Sequence, residues 1–130
     1  MRFPRLPDAQ EVWITYLNAH GWNAASHVPK EHVEGMVRVS RTGGSRSNMV
    51  QDQALMLFEV WHRLDVVSTV ALDLHTLILN ATGQLVRPDC RVTDTDPSGP
   101  VEYPDPNSSL IRYQFTSKMT HRLIPTTATP

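Results

Sequence analysis

The sequence predicts an α+β fold in the order α-β-β-α-β-β, with two helices packed on one face of a mostly antiparallel four-stranded sheet. Two segments carry apolar residues at the 3.6-residue period of an amphipathic helix, and others alternate apolar and polar residues with the period of a strand. The 130 residues are enough for one domain with a sizeable core. We therefore expect one domain over residues 1–123 and an extended C-terminal arm over residues 124–130.

The first helix is expected to begin after Asp8. This side chain can accept hydrogen bonds from the free N–H groups of the first turn, and Glu11 follows three residues later, as in a capping box. Gly21 stands where a left-handed C-terminal cap belongs. The apolar positions between these ends form one stripe, which contains Val12, Trp13, Tyr16 and Leu17.

The next two elements are predicted strands joined by a basic, glycine-rich turn. Residues 33–44 alternate valine or glycine with polar side chains and end in RTGG at positions 41–44, where two glycines permit backbone angles that other residues resist. Residues 54–62, with the sequence ALMLFEVWH, are apolar on both faces up to Glu59, as in a central strand. A buried helix segment is the alternative for residues 54–62, and their β-branched and aromatic ending favours the strand.

The second helix is predicted between Asp65, its candidate N-cap, and Gly83, which terminates it. Its sequence, VVSTVALDLHTLILNAT, places small and branched apolar residues on one stripe and polar residues on the opposite face. The stripe consists of Val66, Val67, Val70, Ala71, Leu74, Leu77, Ile78 and Ala81.

Two more strands are predicted in the last third of the chain, over residues 90–95 and 110–123. The second alternates large apolar residues with polar ones, and the polar residues at 116, 118 and 120 are typical of an exposed sheet edge. Residues 96–109 contain four prolines, which lack the N–H donor that a ladder interior requires. We expect residues 96–109 to form a projecting loop.

Composition narrows the classes of function. Twelve Lys and Arg against thirteen Asp and Glu give a net charge of −1, which does not favour free nucleic acid as the primary partner. With Cys90 as the single cysteine, neither an intramolecular disulfide nor a CxxC metal site is possible. The N-terminal residues have no apolar signal region, and no apolar run approaches the roughly 18 residues of a membrane span. We expect a soluble protein made in the cytoplasm, without a membrane partner.

Catalytic and metal-binding patterns are weak. The six histidines include no i, i+4 pair on a predicted helix, no GxSxG motif occurs, and RTGG lacks the GK[ST] ending of a phosphate loop. Cys90 precedes Arg91, which could lower the pKa of its thiol, although a packing role in a strand is the simpler interpretation. We predict no enzyme, no metal and no cofactor, and keep a small hydrolase that uses His62, Asp65 and Cys90 as a remote alternative.

Charged residues are segregated along the chain more clearly than they are paired for catalysis. Arginines cluster around RTGG, whereas residues 92–111 contain acidic residues and no basic ones. Both segments could simply be solvated; our hypothesis is that they meet across a subunit boundary, where opposite potentials set the register. The interface candidates are Arg38, Arg41, Thr42, Gly43, Gly44, Arg46, Asp94, Asp96, Glu102 and Asp105.

Taken together, several of these segments resemble tail terminator proteins of long-tailed bacteriophages. The segments are the proline-preceded first helix, VRVSRTGG at 37–44, LMLFEVW at 55–61, the helix of small and branched residues, and Pro-Asp-Pro at 104–106 before the last strand. The resemblance covers roughly residues 4–123 in order. It contains no catalytic signature and depends on the order of elements together with RTGG.

The resemblance implies a virion protein that forms a six-membered ring at the head-proximal end of the tail. Such a ring stops polymerisation of the tail tube protein and presents a surface to the head-tail connector or adaptor proteins, without cofactor or turnover. Near-neutral charge suits a channel through which DNA passes without specific binding. Another neck component, a head-closure or adaptor protein, is the nearer alternative function.

Overall fold

A computed structural model describes residues 2–125 and shows an α+β fold with two helices, as predicted. The sheet has seven strands rather than the predicted four. In chain order the elements are α1 Ala9–Ala19, β1 Asn23–Ala25, β2 Met36–Arg46, β3 Gln51–His62, α2 Val67–Asn80, β4 Leu85–Arg87, β5 Cys90–Pro97, β6 Val101–Glu102 and β7 Ile111–Leu123. The strand order is β1-β2-β3-β7-β5-β4, and β6 also pairs with β7.

The predicted order α-β-β-α-β-β is therefore incomplete. The four expected strands correspond to β2, β3, β5 and β7, which pair with their neighbours in antiparallel fashion. The additional strands β1, β4 and β6 have three, three and two residues. Strands this short contain at most one full alternation, so periodicity gives no signal for them. The β1–β2 pair is parallel, which makes the sheet mixed.

Both ends of α1 agree with the sequence. The Asp8 carboxylate accepts hydrogen bonds from the backbone N–H groups of Gln10 and Glu11, at 3.0 and 3.4 Å. Gly21 has a φ of +86°, the left-handed conformation expected after a helix. Of the predicted stripe, Val12, Trp13 and Leu17 are buried and Tyr16 is partly buried.

The stripe of α2 is confirmed, but its cap is not. Five members of the stripe are buried, and Val70 and Leu77 pack against them. The helix begins at Val67, and no side chain caps it. A backbone turn, in which the N–H groups of Val66 and Val67 both donate to the carbonyl of Arg63, precedes the helix. That turn shifts the helix start beyond the reach of Asp65, so the predicted Asp65 cap is wrong.

The core lies between the two helices and one face of the sheet. Trp13 of α1 packs edge-on against Phe58 of β3, with ring centroids 6.0 Å apart. Phe58 stacks on Phe115 of β7 at 5.3 Å, and His75 of α2 contacts the same Phe115 at 5.5 Å. Both helices therefore cover the same face, as predicted; we call the opposite face of the sheet the open face.

The RTGG segment is part of a strand, which corrects the prediction of a turn. Strand β2 begins at Met36, so Val33 lies before it with 52% of its surface exposed, and the strand continues to Arg46. A β-bulge between Arg41 and Gly43 shifts the register, and Gly44 adopts a φ of +97°. The bulge absorbs the unusual backbone angle without ending the ladder. The chain reverses later, between Arg46 and Gln51.

The last third of the chain also differs from the prediction. Strand β7 lies between β3 and β5, so the expected edge strand is central, and its polar residues at 116, 118 and 120 lie on the open face. The predicted loop is paired in part: residues 96–97 and 101–102 belong to β5 and β6, the N–H of Ser98 donates to the carbonyl oxygen of Thr116, and the N–H of Tyr103 donates to the carbonyl oxygen of Arg112. Residues 98–100 and 103–110 lie outside the strands. Of the four prolines in this segment, Pro97 ends β5 and the other three lie in connections, where a missing N–H removes no ladder hydrogen bond.

Candidate functional site

The basic candidate residues lie along one margin of the sheet. Strand β1 pairs only with residues 36–38 of β2, so residues 41–46 have a strand partner on one side only. We call residues 41–46 the basic edge. Within it Arg41, Thr42, Gly44 and Ser45 are exposed, and Gly43 and Arg46 are partly buried.

The three arginines differ in how their charge is compensated. Arg38 and Arg41 each form a two-pronged ion pair, with Glu59 at 2.7 and 2.9 Å and with Asp52. These hydrogen bonds raise the pKa of both guanidinium groups. Arg46 instead donates to the carbonyl oxygens of Pro4 and Met49, which carry no net charge. Arg46 is therefore the arginine of this group that retains an uncompensated positive charge.

Three of the four acidic candidates lie along the opposite margin. Asp94 and Asp96 belong to β5 and Glu102 to β6, and all three are exposed. We call these three residues the acidic edge. None of the three forms a salt bridge within the described residues, although Asp96 lies opposite Lys118 of β7 in the register.

The two edges lie at opposite sides of the sheet. Gly44 pairs with Ala54, Ala54 pairs with Met119, and Met119 pairs with Thr95. Gly44 of the basic edge and Thr95 of β5 therefore lie on one line across the sheet. Three strand spacings separate the two margins, which is about 14 Å between backbones. The structure does not bring the basic edge and the acidic edge together within one chain, whereas the two remaining charged candidates, Arg38 and Asp105, both lie beside Trp61.

Asp105 is the exception among the acidic candidates, because its carboxylate is buried. It accepts a hydrogen bond from the indole Nε1 of Trp61 at 2.9 Å and another from the backbone N–H of Asn107 at 3.0 Å. The hydrogen bond from Trp61 is the main cause that lowers the pKa of Asp105. His32 stacks on the same indole, and its Nε2 lies 3.6 Å from the carboxylate. Asp105 therefore anchors a loop and is not part of an exposed edge.

Trp61 is the centre of a polar cluster on the open face that the sequence did not predict. The guanidinium groups of Arg38 and Arg112 lie 5.6 and 5.7 Å from the centre of its ring. Both arginines bind Glu59, whose side chain is 3% exposed. The signal that could have revealed the cluster was Glu59 itself, the single acidic residue in the predicted apolar strand 54–62, since a buried charge requires a cationic partner.

The residues of the alternative hydrolase are not assembled. Cys90 pairs with Leu123 at one end of β7, and His62 pairs with Ile111 at the other, a separation of roughly 40 Å of strand length. Cys90 is fully buried, and burial raises the pKa of its thiol to about 11. Within residues 2–125, no group of three or more His, Cys, Asp and Glu side chains has the arrangement of a metal site.

One histidine is buried in the core beside α1. His121 of β7 is 1% exposed, and its Nε2 accepts a hydrogen bond from the indole Nε1 of Trp13 at 2.8 Å. Its Nδ1 has no partner within the described part of the chain. Burial is the main cause that lowers the pKa of His121 from 6.5 to about 4. The folded protein therefore holds this imidazole neutral.

This shift predicts a loss of stability in mild acid. Because the unfolded chain protonates His121 near pH 6.5 and the folded chain only near pH 4, the free energy of unfolding falls as pH decreases through this interval, by about 3 kcal/mol in total from this group. We expect His121→Gln, which keeps an acceptor for Trp13, to remove that part of the pH dependence. Urea unfolding at pH 7 and pH 4.5 measures it, with the exposed His27→Gln as control. Equal pH dependence in the His121→Gln variant and the parent protein would contradict this assignment.

Comparison with known protein families and with curated proteins found no match to this sequence. Neither helix within residues 2–125 has the length and hydrophobicity needed to cross a membrane.

Proposed function

We propose that this chain is a structural subunit of a phage tail, which forms a ring at the head-proximal end, terminates the tail tube and joins it to the head connector. The observation that supports the proposal most strongly is the position of the basic and acidic edges on opposite margins of one sheet. Contact between different surfaces of identical subunits is heterologous, and it closes into a ring when the rotation between subunits permits. The resemblance to tail terminators is the basis for placing this ring at the head-proximal end of a phage tail.

The charges on the two edges support a specific contact. The side chain of Arg46 lies on the helix-covered side of the sheet, since it is opposite the buried Asp52. Glu102 is opposite Tyr113, which packs against the core, so it lies on the same side. When the sheets of two subunits lie edge to edge in the same orientation, Arg46 of one subunit and Glu102 of the next are both on the helix-covered side. Arg46 lies in the row of His121 and Glu102 in the row of Tyr113, eight residues apart along β7, so the two side chains meet only if adjacent sheets are displaced along the strands by roughly 26 Å. In the proposed ring, this displacement is the register that the pair sets.

Side chains, more than backbone hydrogen bonds, make this contact. Pro97 ends β5 and Pro100 precedes β6, and neither residue has an N–H to donate to a neighbouring strand. Prolines on an outer strand hinder uncontrolled addition of further strands. The contact therefore depends on charge and shape, which makes it sensitive to substitution and to salt.

Reversal of Arg46 tests the proposed subunit contact. We expect Arg46→Glu, and separately Glu102→Arg, to weaken assembly because each places like charges at the boundary, and we expect the double exchange to restore it. Native mass spectrometry across a concentration series measures the distribution of oligomers. Arg122→Glu, at an exposed position between the two edges, makes the same change of charge and is the control.

Thermal unfolding of each variant tests whether the fold persists. This check is needed because Arg46 also binds Pro4 and Met49. Arg41 is unsuitable for this test because Arg41→Glu would break the ion pair with Asp52 inside the subunit. Equal assembly of Arg46→Glu and the parent protein, or a double exchange no better than the single variants, would contradict the proposed contact.

The position on the virion separates the tail terminator from another neck component. The purified chain should bind to one end of preformed tail tubes and stop their further growth when tube protein is added, which electron microscopy detects. A head-closure or adaptor protein would leave tube growth unchanged and bind the head connector instead. Binding to the connector alone would therefore overturn termination in favour of an adaptor role.

A further inference from the structure

We propose that the cavity over Trp61 is a binding site for a carboxylate, a property that goes beyond the proposed function. The cavity has a volume of about 320 Å³ and lies between the open face and two connections, residues 28–32 and 104–110. This volume lies within the usual range for small-ligand sites. Its polar lining includes Lys30, Arg38, Asp105, Asn107 and Arg112.

The cationic wall of the cavity is held in place before any ligand arrives. Glu59 accepts two hydrogen bonds from Arg38 and one, at 3.2 Å, from Arg112. Arg112 also donates to the carbonyl oxygens of Tyr103 and Pro104 in the loop that roofs the site. Guanidinium groups fixed in this way lose little conformational entropy when they bind an anion.

Hydrogen-bond donors outnumber free acceptors around the cavity. Nη1 of Arg38, Nζ of Lys30 and the side-chain amide of Asn107 form no hydrogen bond with another described residue. In contrast, the oxygen atoms of Glu59 and of Asp105 already accept hydrogen bonds. Because two of these free donors belong to cations, they favour an incoming group that accepts hydrogen bonds, and Oδ1 of the same Asn107 is, within the described chain, a free acceptor beside them.

The charges that border the cavity favour a monoanion. Arg38, Arg112 and Lys30 carry three positive charges, and Glu59 and Asp105 carry two negative ones, so these five groups leave one positive charge in excess. A carboxylate cancels this charge and matches the planar guanidinium of Arg38. A phosphate dianion would exceed the available charge and would be repelled by the two carboxylates. The source of the ligand is either a free small acid or an acidic side chain on a partner.

Titration with acetate tests the site in the intact chain, monitored by the indole N–H signals in NMR. We expect a saturable shift of the Trp61 signal, because its indole N–H is bonded to Asp105 on the cavity wall. The Trp13 signal, from an indole bonded to His121 in the core, should not move. Sodium chloride at equal ionic strength is the control for screening. Inorganic phosphate should bind more weakly than acetate.

Single substitutions then test whether acetate binds in this cavity. Lys30→Ala and Asn107→Ala change exposed residues outside the strands, and each should weaken acetate binding about threefold to tenfold through the loss of a hydrogen bond to a charged ligand. Lys118→Ala, elsewhere on the open face, should leave it unchanged. A blocked glutamate that binds as well as acetate identifies a partner side chain as the source, and binding of acetate alone identifies a free acid. No saturable shift, tighter binding of phosphate, or equal affinity in all variants would overturn the proposal, whatever the assembly state.

Discussion

Gly44→Ala is expected to lower the free energy of unfolding by about 3 kcal/mol or more, since it combines backbone strain with a clash. Gly44 has a φ of +97°, and a Cβ atom there would overlap the carbonyl oxygen of Gln53 and lie 2.8 Å from the Cα of Ala54. Both contacts are with the backbone of β3, which cannot rotate away. Urea unfolding followed by circular dichroism measures the effect.

Two other glycines separate the effect of backbone strain from the effect of the clash. Gly83 has a φ of +82°, but a Cβ atom added there would have no other atom within 4 Å, so Gly83→Ala reports backbone strain alone, about 1 kcal/mol. Gly99 has neither feature, and Gly99→Ala should be nearly neutral. An effect at Gly44 no larger than that at Gly83 would show that β2 does not follow β3 as closely as the bulge requires.

Glu59→Ala is expected to cost about 3–5 kcal/mol, as when one partner of a buried ion pair is removed. Two arginines would lose their shared carboxylate while their remaining contacts hold them near the ring of Trp61. Urea unfolding again gives the magnitude. Glu102→Ala, which removes an exposed carboxylate without a salt bridge in the described chain, should change stability by less than about 0.5 kcal/mol.

A second variant tests whether the loss of stability comes from arginine charges that are left without a carboxylate partner. Replacing Arg38 and Glu59 together by methionine removes both charges of the pair and should recover part of the loss, because apolar residues of similar size often replace buried ion pairs without penalty. Arg112 still needs a partner, so the recovery is partial. A double variant as unstable as Glu59→Ala would argue that the carboxylate acts through shape and not through charge.

The sequence was a good guide where local patterns determine structure. Asp8 and Gly21 bracket α1 because capping requires only neighbouring residues, and the apolar stripe of α2 predicts its buried face directly. The alternation of β7 correctly separates Phe115 and Met119, which are buried, from the polar residues that face outward.

Features that depend on contacts between residues distant in sequence were not predicted. RTGG has the composition of a turn, and only its register with β3 reveals a bulge in a continuous strand. Asp105 lies in a polar, proline-rich segment typical of an exposed loop, yet it is buried against Trp61, 44 residues away in sequence. The same limit applies to the interface: charge segregation was visible along the chain, whereas the position of the two edges at opposite margins of the sheet depends on strand order.

The length of phage tails tests the central proposal most directly. Under the proposed function the chain is encoded by a phage, and electron microscopy would compare particles of that phage made with the intact chain and particles made without it. We predict overlong tubes without heads when the chain is absent, and tails of normal length when it is restored. Tubes of normal length in its absence would contradict tail termination.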